Sequence, residues 1–558
     1  MASGHTGNSR TSKILTALAA ACAVAFASGG ERPVLQFRLE IEHTLADGAW
    51  AKTSGMLKKA PGLCDEIWFG TGFGMPRLET HRRNAANIAR AAEEMRSLGW
   101  KTALQFQATI GHGGAFCEGK DYSGRDWTGW TNSRGEEDRF CNCPRDPRFL
   151  AYIRETAKIY ASLHPSSVWI DDDLRIDNHG SISSGSLDGC WCDRCIADFN
   201  AATGGGWTRA TLERAARKDA KQRLEYERFS IGSVAAVARA IGEEFHAISP
   251  ETQLAFQHCF DATRTVEAIA EALAAAGGRP AAYRPGGGAY YDDDPNMQIV
   301  KALRSSRCRR DFARKELIGF WTSEIACFPR TWATKSAKTI TMEAFAALAS
   351  GMDAASALVL NYGKEDEELY FRTRIKPMAE AAPFLRAYAK SCEGALAAGF
   401  TSQCGMNELY RFALSGAPVL FGPGREFGKL SKRDVSFNPK TASTAQTQNL
   451  RDSLDARAGG TAAVLESPFY GLMIPRTEQD GTLRNTALLA LRHDEQGPLR
   501  LRLRKTPPGA ERAVWREIGR APVELVLSAP DATGARRVEI PSVGAWNGGY
   551  IDFTSGKP

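Results

Sequence analysis

Three consecutive aspartates, Asp171-Asp172-Asp173, close the apolar run Val168-Trp169-Ile170, and a lone glutamate, Glu324, follows a second apolar run from Leu317 to Trp321. Two carboxyl groups brought together can split a glycosidic bond. One protonates the leaving oxygen, and the other attacks the anomeric carbon or activates water. Asp173 and Glu324 are the candidate pair. Like charge at short range, together with burial, raises the pKa of one member and makes it the acid. The same aspartates would also suit a calcium site or a set of helix caps, and Glu324 would also suit a salt bridge.

A second constellation follows the aspartates. Cys190, Cys192 and Cys195 stand at C-x-C-x2-C spacing. Soft thiolates at such spacing suit a tetrahedral zinc, and a distant cysteine would complete four ligands. Such a zinc would be structural, because four thiolates leave no position open for water. The alternative is a disulfide between Cys141 or Cys143 and one of the later three, which an oxidising compartment favours. No cofactor is expected in the chemistry itself.

These groups need elements to hold them. Between residues 34 and about 390, short apolar runs alternate with amphipathic helical stretches. The runs are 34–41, 66–70, 102–109, 167–170, 254–257, 281–284, 317–321 and 357–360, with helices near 82–98, 147–162, 208–217 and 220–247. Eight strand–helix units over this length predict an α/β fold, a (β/α)8 TIM barrel. A doubly wound sheet is the competing fold, but no Gly-x-Gly-x-x-Gly turn follows the first run.

In such a barrel the catalytic groups come from the C-terminal ends of the strands. Those ends carry Arg38 and Glu40, the aspartates, Gln257 and His258, Arg284, Tyr290, Glu324, and Tyr362. Acids, amides and aromatics around one rim suit a polyhydroxylated ligand. The candidate substrate-binding residues are therefore Asp171, Asp172, Arg38, Glu40, His258, Arg284, Tyr290, Trp321 and Tyr362, with Trp321 and Tyr290 expected to stack on sugar C–H faces.

The tract Ile170-Asp171-Asp172-Asp173, the thiols that follow it, Phe199-Asn200, and Arg139-Phe140-Cys141-Asn142-Cys143-Pro144 upstream resemble the clan A glycoside hydrolases, and among them the family 42 β-galactosidases. The resemblance covers residues 34 to about 390. It implies that Asp173 is the acid/base, Glu324 the nucleophile, and Cys143 the fourth thiol beside Cys190, Cys192 and Cys195, with Cys141 and Cys117 as substitutes. The chain departs from the family pattern at two positions: Asp173 replaces its Glu, and Asp172 its Asn. The function implied is a secreted, retaining exo-glycosidase of β-galactosidase-like type, acting on oligo- or polysaccharides. A non-catalytic carbohydrate-binding barrel, an N-acetylhexosaminidase-type hydrolase using paired aspartates, and a metal hydrolase using the aspartate cluster stay open as alternatives. The family also implies a homo-oligomer, dimer or trimer.

The bulk numbers set the frame. The chain has 558 residues, 43% hydrophobic and 24% charged, which predicts a globular protein of several domains. A net charge of +7, with basic residues scattered, gives no nucleic-acid footprint. Arg10 and Lys13 precede the apolar run Ile14 to Ala27, which ends in Ala25-Phe26-Ala27. That is the pattern of a secretory signal, so the chain is expected to be secreted or periplasmic. No other segment reads as a membrane span. The expected boundaries are a signal peptide over 1–30, the barrel domain over 31–395, a small α/β domain over 396–478 and a C-terminal β-sandwich over 479–558. Within the last two, Pro418 to Gly424 predicts a strand, and the Ser-, Thr-, Asn- and Gln-rich residues 435–450 predict a loop.

Overall fold

The computed structural model describes residues 32–553, except 46–47, 108, 113, 177–181, 260–262, 361–365 and the side chains of 115–116. The expected signal peptide and Tyr362 lie outside the described residues. Among those described, no helix is long and apolar enough to cross a membrane.

Eight parallel strands close into a barrel: β1 (Leu35–Leu39), β2 (Glu66–Gly70), β3 (Lys101–Phe106), β4 (Ser167–Ile170), β5 (Gln253–Cys259), β6 (Ala281–Gly286), β7 (Ile318–Ala326) and β8 (Ala354–Leu358). Each strand pairs with its chain neighbours, and β8 pairs with β1. The helices that follow the strands in turn are α1 (Ala49–Leu57), α2 (Leu78–Ser97), α3 (Pro147–Ala161), α4 (Ala220–Ile248), α5 (Thr263–Gly277), α6 (Pro295–Asp311), α7 (Ala337–Ser350) and α8 (Lys376–Ser391). Local chemistry starts several of them. Asp146 and Asp294 cap α3 and α6 through backbone N–H groups, each with a proline at the first helical position.

Strand period sets what lines the barrel. Trp68, Ala103, Trp169, Ala255, Ala282, Phe320 and Ala354 form one inner layer, with the indoles of Trp68 and Trp169 stacked at 4.3 Å. Residues two positions further along each strand form the next layer, nearer the C-terminal mouth. These include Gln105, Asp171, Gln257 and Arg284, and Arg38 of β1 reaches Gln105 in this layer, so polar chemistry begins one layer above an apolar plug.

The described residues after α8 form two sheets with short helices between the strands. The strands are β9 (Leu396–Thr401), β10 (Gly424–Lys429), β11 (Ala463–Leu465), β12 (Gly471–Thr477), β13 (Leu483–Ala490), β14 (Leu499–Leu503), β15 (Arg512–Glu517), β16 (Val523–Val526), β17 (Arg536–Ile540) and β18 (Asn547–Asp552). One sheet runs β10-β9-β12-β13-β18-β15-β16 and the other β11-β14-β17. Met473, Leu488, Trp515 and Ile551 face Leu501, Leu503 and Val538 across a shared core, which makes a sandwich. The alternate residues Leu472, Ile474, Leu489 and Tyr550 join the barrel core, and Tyr550 meets Tyr388 of α8 at 4.9 Å. Arg476 donates to the carbonyls of Leu348 and Ala349 at 2.7 and 3.0 Å, satisfying the C-terminal end of α7.

Three expectations for this region change. Residues 396–478 and 479–558 share the larger sheet, because the expected boundary falls in the turn between the paired strands β12 and β13. The expected strand at 418–424 is reduced to a single bridge between Val419 and Phe400, since Pro418 and Pro423 lack the N–H a ladder needs. The polar stretch at 435–450 runs into a helix, Thr444–Arg457. Ser443 and Gln446 form its capping box, so polar composition marked a helix start and not only a loop.

Candidate active site

Strands β1, β6 and β7 converge on Glu324, whose residue is 8% exposed. Arg284 lies 2.6 Å from its Oε1 and Arg38 3.6 Å from the same oxygen. The backbone N–H of Gly287 donates to Oε2 at 2.9 Å. Burial opposes the charge, but Arg284, then Lys301 farther off, then Arg38 hold the Glu324 carboxyl below the usual glutamate range. Gly286 makes this convergence possible. A Cβ there would collide with the Arg284 guanidinium and come within 2.9 Å of Glu324 Oε2.

Below Glu324 lies the polar layer. Arg38 Nε donates to Gln105 Oε1 at 3.1 Å, and Gln105 Nε2 donates to Asp171 Oδ2 at 3.0 Å. Gln257 Nε2 donates to Asp171 Oδ1 at 3.3 Å, and the backbone N–H of Asp172 donates to the same oxygen at 2.9 Å. Asp171 thus forms part of the floor, and burial and then its neighbour Asp172 raise it to about 6.

The other two aspartates diverge as the chain turns away from β4. The Asp172 side chain is 23% exposed and accepts from Cys259 Sγ at 2.9 Å. Burial works against its charge, but Arg175 and Arg284 hold it well below the usual range. Burial and then Asp172 push the Cys259 thiol up to about 12. The Asp173 side chain is only 1% exposed. Arg175 donates to its Oδ1 at 3.0 Å, whereas Oδ2 is buried with no hydrogen-bond partner among the described residues. Burial, reinforced by Asp171 and Asp172 and opposed by Arg175, raises Asp173 well above the carboxylate range. Of these adjacent acids, the surroundings favour the charged form of Asp172 and the neutral form of Asp173.

The remaining candidates sort by strand parity. Tyr290 is half-buried, and burial together with Glu324 and Asp172 pushes its phenol up to about 12, so the ring lies in the field of both carboxylates. Glu40 sits at the rim, 3.4 Å from Arg330, and accepts from Gln107 at 3.0 Å. His258 is buried, with Nδ1 2.7 Å from the Cys259 carbonyl and with Arg175, Asp172 and Arg284 as charged neighbours. Trp321 requires a correction. Phe320, Thr322 and Glu324 point inward, so Trp321 points outward, where it packs at 5.2 Å on Tyr283 and 5.6 Å on Phe312. It is a core residue of the strand–helix layer, not a platform at the mouth. No sequence pattern marks Gln105 or the Gly287 amide as part of the site. Arg175 had one signal: a cation two residues beyond three acids.

The thiols form a separate clamp. Cys143 follows a hairpin (Gly129–Thr131 and Glu137–Asn142) in the loop after β3, Cys190 and Cys192 lie in the loop after β4, and Cys195 is in the first turn of the helix Asp193–Thr203. All four are buried and their sulfurs lie within 4.8 Å of one another. Cys143 Sγ is 3.5 Å from Cys192 Sγ and 3.6 Å from Cys195 Sγ. A tetrahedron with zinc–sulfur bonds of about 2.3 Å has edges of about 3.8 Å, whereas a disulfide needs about 2.0 Å. The donor set and spacing fit a tetrathiolate metal. Trp191 N–H donates to the Thr131 carbonyl at 2.7 Å, which joins the two loops directly, and Tyr226 Oη of α4 donates to the Cys190 carbonyl at 2.5 Å, which ties the second loop to that helix.

Fold and site together define an α/β barrel with an acid-lined C-terminal mouth. Solved structures of similar fold include an α-L-fucosidase isoenzyme 2 from Paenibacillus thiaminolyticus (TM-score 0.58, 11% identity, 94% of this chain and 100% of that one). A catalytic mutant of a GH42 β-galactosidase from G. stearothermophilus aligns with a TM-score of 0.57 at 9% identity, over 93% and 98% of the two chains. A β-galactosidase from Bacillus circulans sp. alkalophilus aligns at 0.53 and 11%, over 91% and 98%. The likeness is one of fold, extending through the barrel and the sheets that follow it. No protein-family model and no curated protein sequence matches the chain.

Proposed function

We propose that the protein is a retaining glycoside hydrolase in which Glu324 is the nucleophile and Asp173 the proton donor. The observation that carries this reading is the contrast between the two carboxyl groups. Glu324 is kept ionised by two arginines and a backbone N–H. Asp173 is pushed toward its neutral form by burial, with one oxygen on Arg175 and the other unpartnered among the described residues. A buried carboxyl oxygen without a partner is costly, and donation to a glycosidic oxygen requires the turn after β4 to open Oδ2 to the mouth. The shorter Asp side chain then implies a deep-lying substrate.

In the first step Glu324 attacks the anomeric carbon, the glycosidic C–O bond breaks, and the Asp173 proton goes to the leaving oxygen. In the second, water attacks the same carbon, its proton goes to Asp173, and the bond to Glu324 breaks. Asp172, ionised beside them, stabilises the positive charge that develops on the sugar ring. Cys143, Cys190, Cys192 and Cys195 would hold a zinc that fixes the loops after β3 and β4 and takes no part in these steps. The solved structures of similar fold, β-galactosidases and a fucosidase, support a glycosidase reading but do not choose the sugar.

The test is turnover of a panel of aryl galactosides, glucosides, fucosides and N-acetylhexosaminides by wild type and by Glu324→Gln. Turnover by wild type and loss of it in the variant are expected. Binding without turnover across the panel would make the chain a carbohydrate-binding barrel, and undiminished turnover by the variant would remove Glu324 from the reaction.

A further inference from the structure

Away from the reacting groups, a buried charged cluster ties the elements after β6 and β7 together. Lys335 and Glu343 are fully buried, and Lys301 is 4% exposed. Lysine is rarely found so deep unless every charge and donor is paired. All three hydrogens of the Lys335 ammonium are engaged: Glu343 Oε2 accepts at 2.9 Å, Gln298 Oε1 at 2.6 Å and the Ala289 carbonyl at 3.1 Å. Gln298 in turn donates to the Tyr291 carbonyl at 2.8 Å. Lys301 pairs with the other oxygen of Glu343 at 2.8 Å.

The segment that Lys335 grips is the one that meets Glu324. Gly287, Gly288 and Ala289 follow β6 with φ of 143, 71 and 58°. Glycines lose more conformational freedom on folding than other residues, and Ala289 sits in the left-handed region that disfavours a Cβ. Such a segment needs an outside hold to keep one conformation. Its first amide, Gly287 N–H, donates to Glu324, and its far end carries Tyr290. Further along, Asp292 N–H donates to the Thr334 carbonyl at 2.9 Å, which fixes the chain beyond the segment but not the segment itself.

We propose that Lys335, with Gln298, is a positioning residue that clamps the 287–291 segment from behind, so that the Gly287 amide stays on Glu324 and the Tyr290 ring stays at the mouth. The role rests on the proposed reaction for its meaning, but its physical content does not. Lys335 touches neither substrate nor reacting atoms; it acts through the carbonyl of Ala289.

The test is amide hydrogen exchange by mass spectrometry on the full chain without substrate, for wild type, Lys335→Met, Gln298→Met and Lys301→Met. The peptide covering 287–291 should exchange at least about ten-fold faster in Lys335→Met, which loses a charged bond to the Ala289 carbonyl, and about five-fold faster in Gln298→Met, which loses a neutral bond to the Tyr291 carbonyl, with barrel peptides elsewhere unchanged. Lys301→Met removes a buried charge from the same cluster without touching the segment, so its exchange there should match wild type. In active enzyme the first two variants should lower kcat and raise KM together, because both the Gly287 contact to the nucleophile and the Tyr290 ring at the mouth are loosened. Unchanged exchange in the folded Lys335→Met and Gln298→Met proteins, or equal acceleration in Lys301→Met, would overturn the proposal. Should Lys335→Met fail to fold, Gln298→Met decides alone. A wild type that hydrolyses nothing would remove the reaction and leave the exchange result standing.

Discussion

Arg175 donates to Asp173 Oδ1 at 3.0 Å, and the second oxygen of that buried carboxyl meets no partner among the described residues. The pair leaves Asp173 oriented, with burial favouring its neutral form and one carboxyl oxygen unspent. Asp172, next in chain, shares the same guanidinium at 3.6 Å but opens to solvent and stays charged. Neighbouring acids of one type are thereby pushed in opposite directions by their surroundings.

If Asp173 is the proton donor, Asp173→Asn should lose turnover of glycosides with poor leaving groups by about 10²–10⁴-fold, and far less with dinitrophenolate, which needs no proton. Added azide should restore part of the second step, giving a glycosyl azide of retained configuration. Asp172→Asn should slow all leaving groups alike. The reverse pattern would move the acid to Asp172.

The pH dependence follows from the directions of the two shifts. Glu324 is lowered, so the nucleophile stays charged below the usual glutamate range and activity falls as pH drops through that lowered value. Asp173 is raised, so its proton is held past the carboxylate range and activity falls as pH climbs through the raised value. The profile of kcat/KM should be bell-shaped. Arg38→Met, which removes one cation beside Glu324, should move the acidic limb upward; an unmoved limb would separate it from Glu324. Stability follows the same signs: the Glu324 contribution is lost on the acid side through its lowered pKa, and the Asp173 contribution on the basic side through its raised one.

Trp321→Ala should destabilise the fold by about 3–5 kcal/mol, as for a buried aromatic, and leave KM unchanged in the protein that remains folded. Denaturant unfolding and steady-state kinetics check both. A raised KM with unchanged stability would return the indole to the mouth.

The thiol clamp should carry one zinc per chain by elemental analysis, and Cys192→Ser should lower the melting temperature while the folded fraction keeps its turnover. A metal-free protein whose mass is two hydrogens lighter would replace the metal with a disulfide.

Much of the barrel could be read from the chain because its strands are apolar runs between polar helices: 66–70 and 167–170 match to the residue. β8 was displaced toward Leu360, because Ala354-Ala355-Ser356 lacks the branched residues that mark a strand. At β7 the run was ended at Trp321, whereas the strand continues to Ala326, with Glu324 inside it. Strand parity then turns Trp321 outward. The acids could be located by sequence, but not their protonation states, which depend on Arg175, Arg284 and Arg38 arriving from other strands and turns. The grip of Lys335 on Ala289 joins residues 46 apart and leaves no local pattern.

The central claim is most directly tested by incubating wild type with 2,4-dinitrophenyl 2-deoxy-2-fluoroglycosides of the galacto, gluco and fuco series and mapping the labelled peptide. A single stable glycosyl adduct on Glu324 is expected, formed with the release of one equivalent of dinitrophenolate. Catalytic turnover of the parent glycosides with no adduct at Glu324, or with the label on another carboxylate, would contradict it.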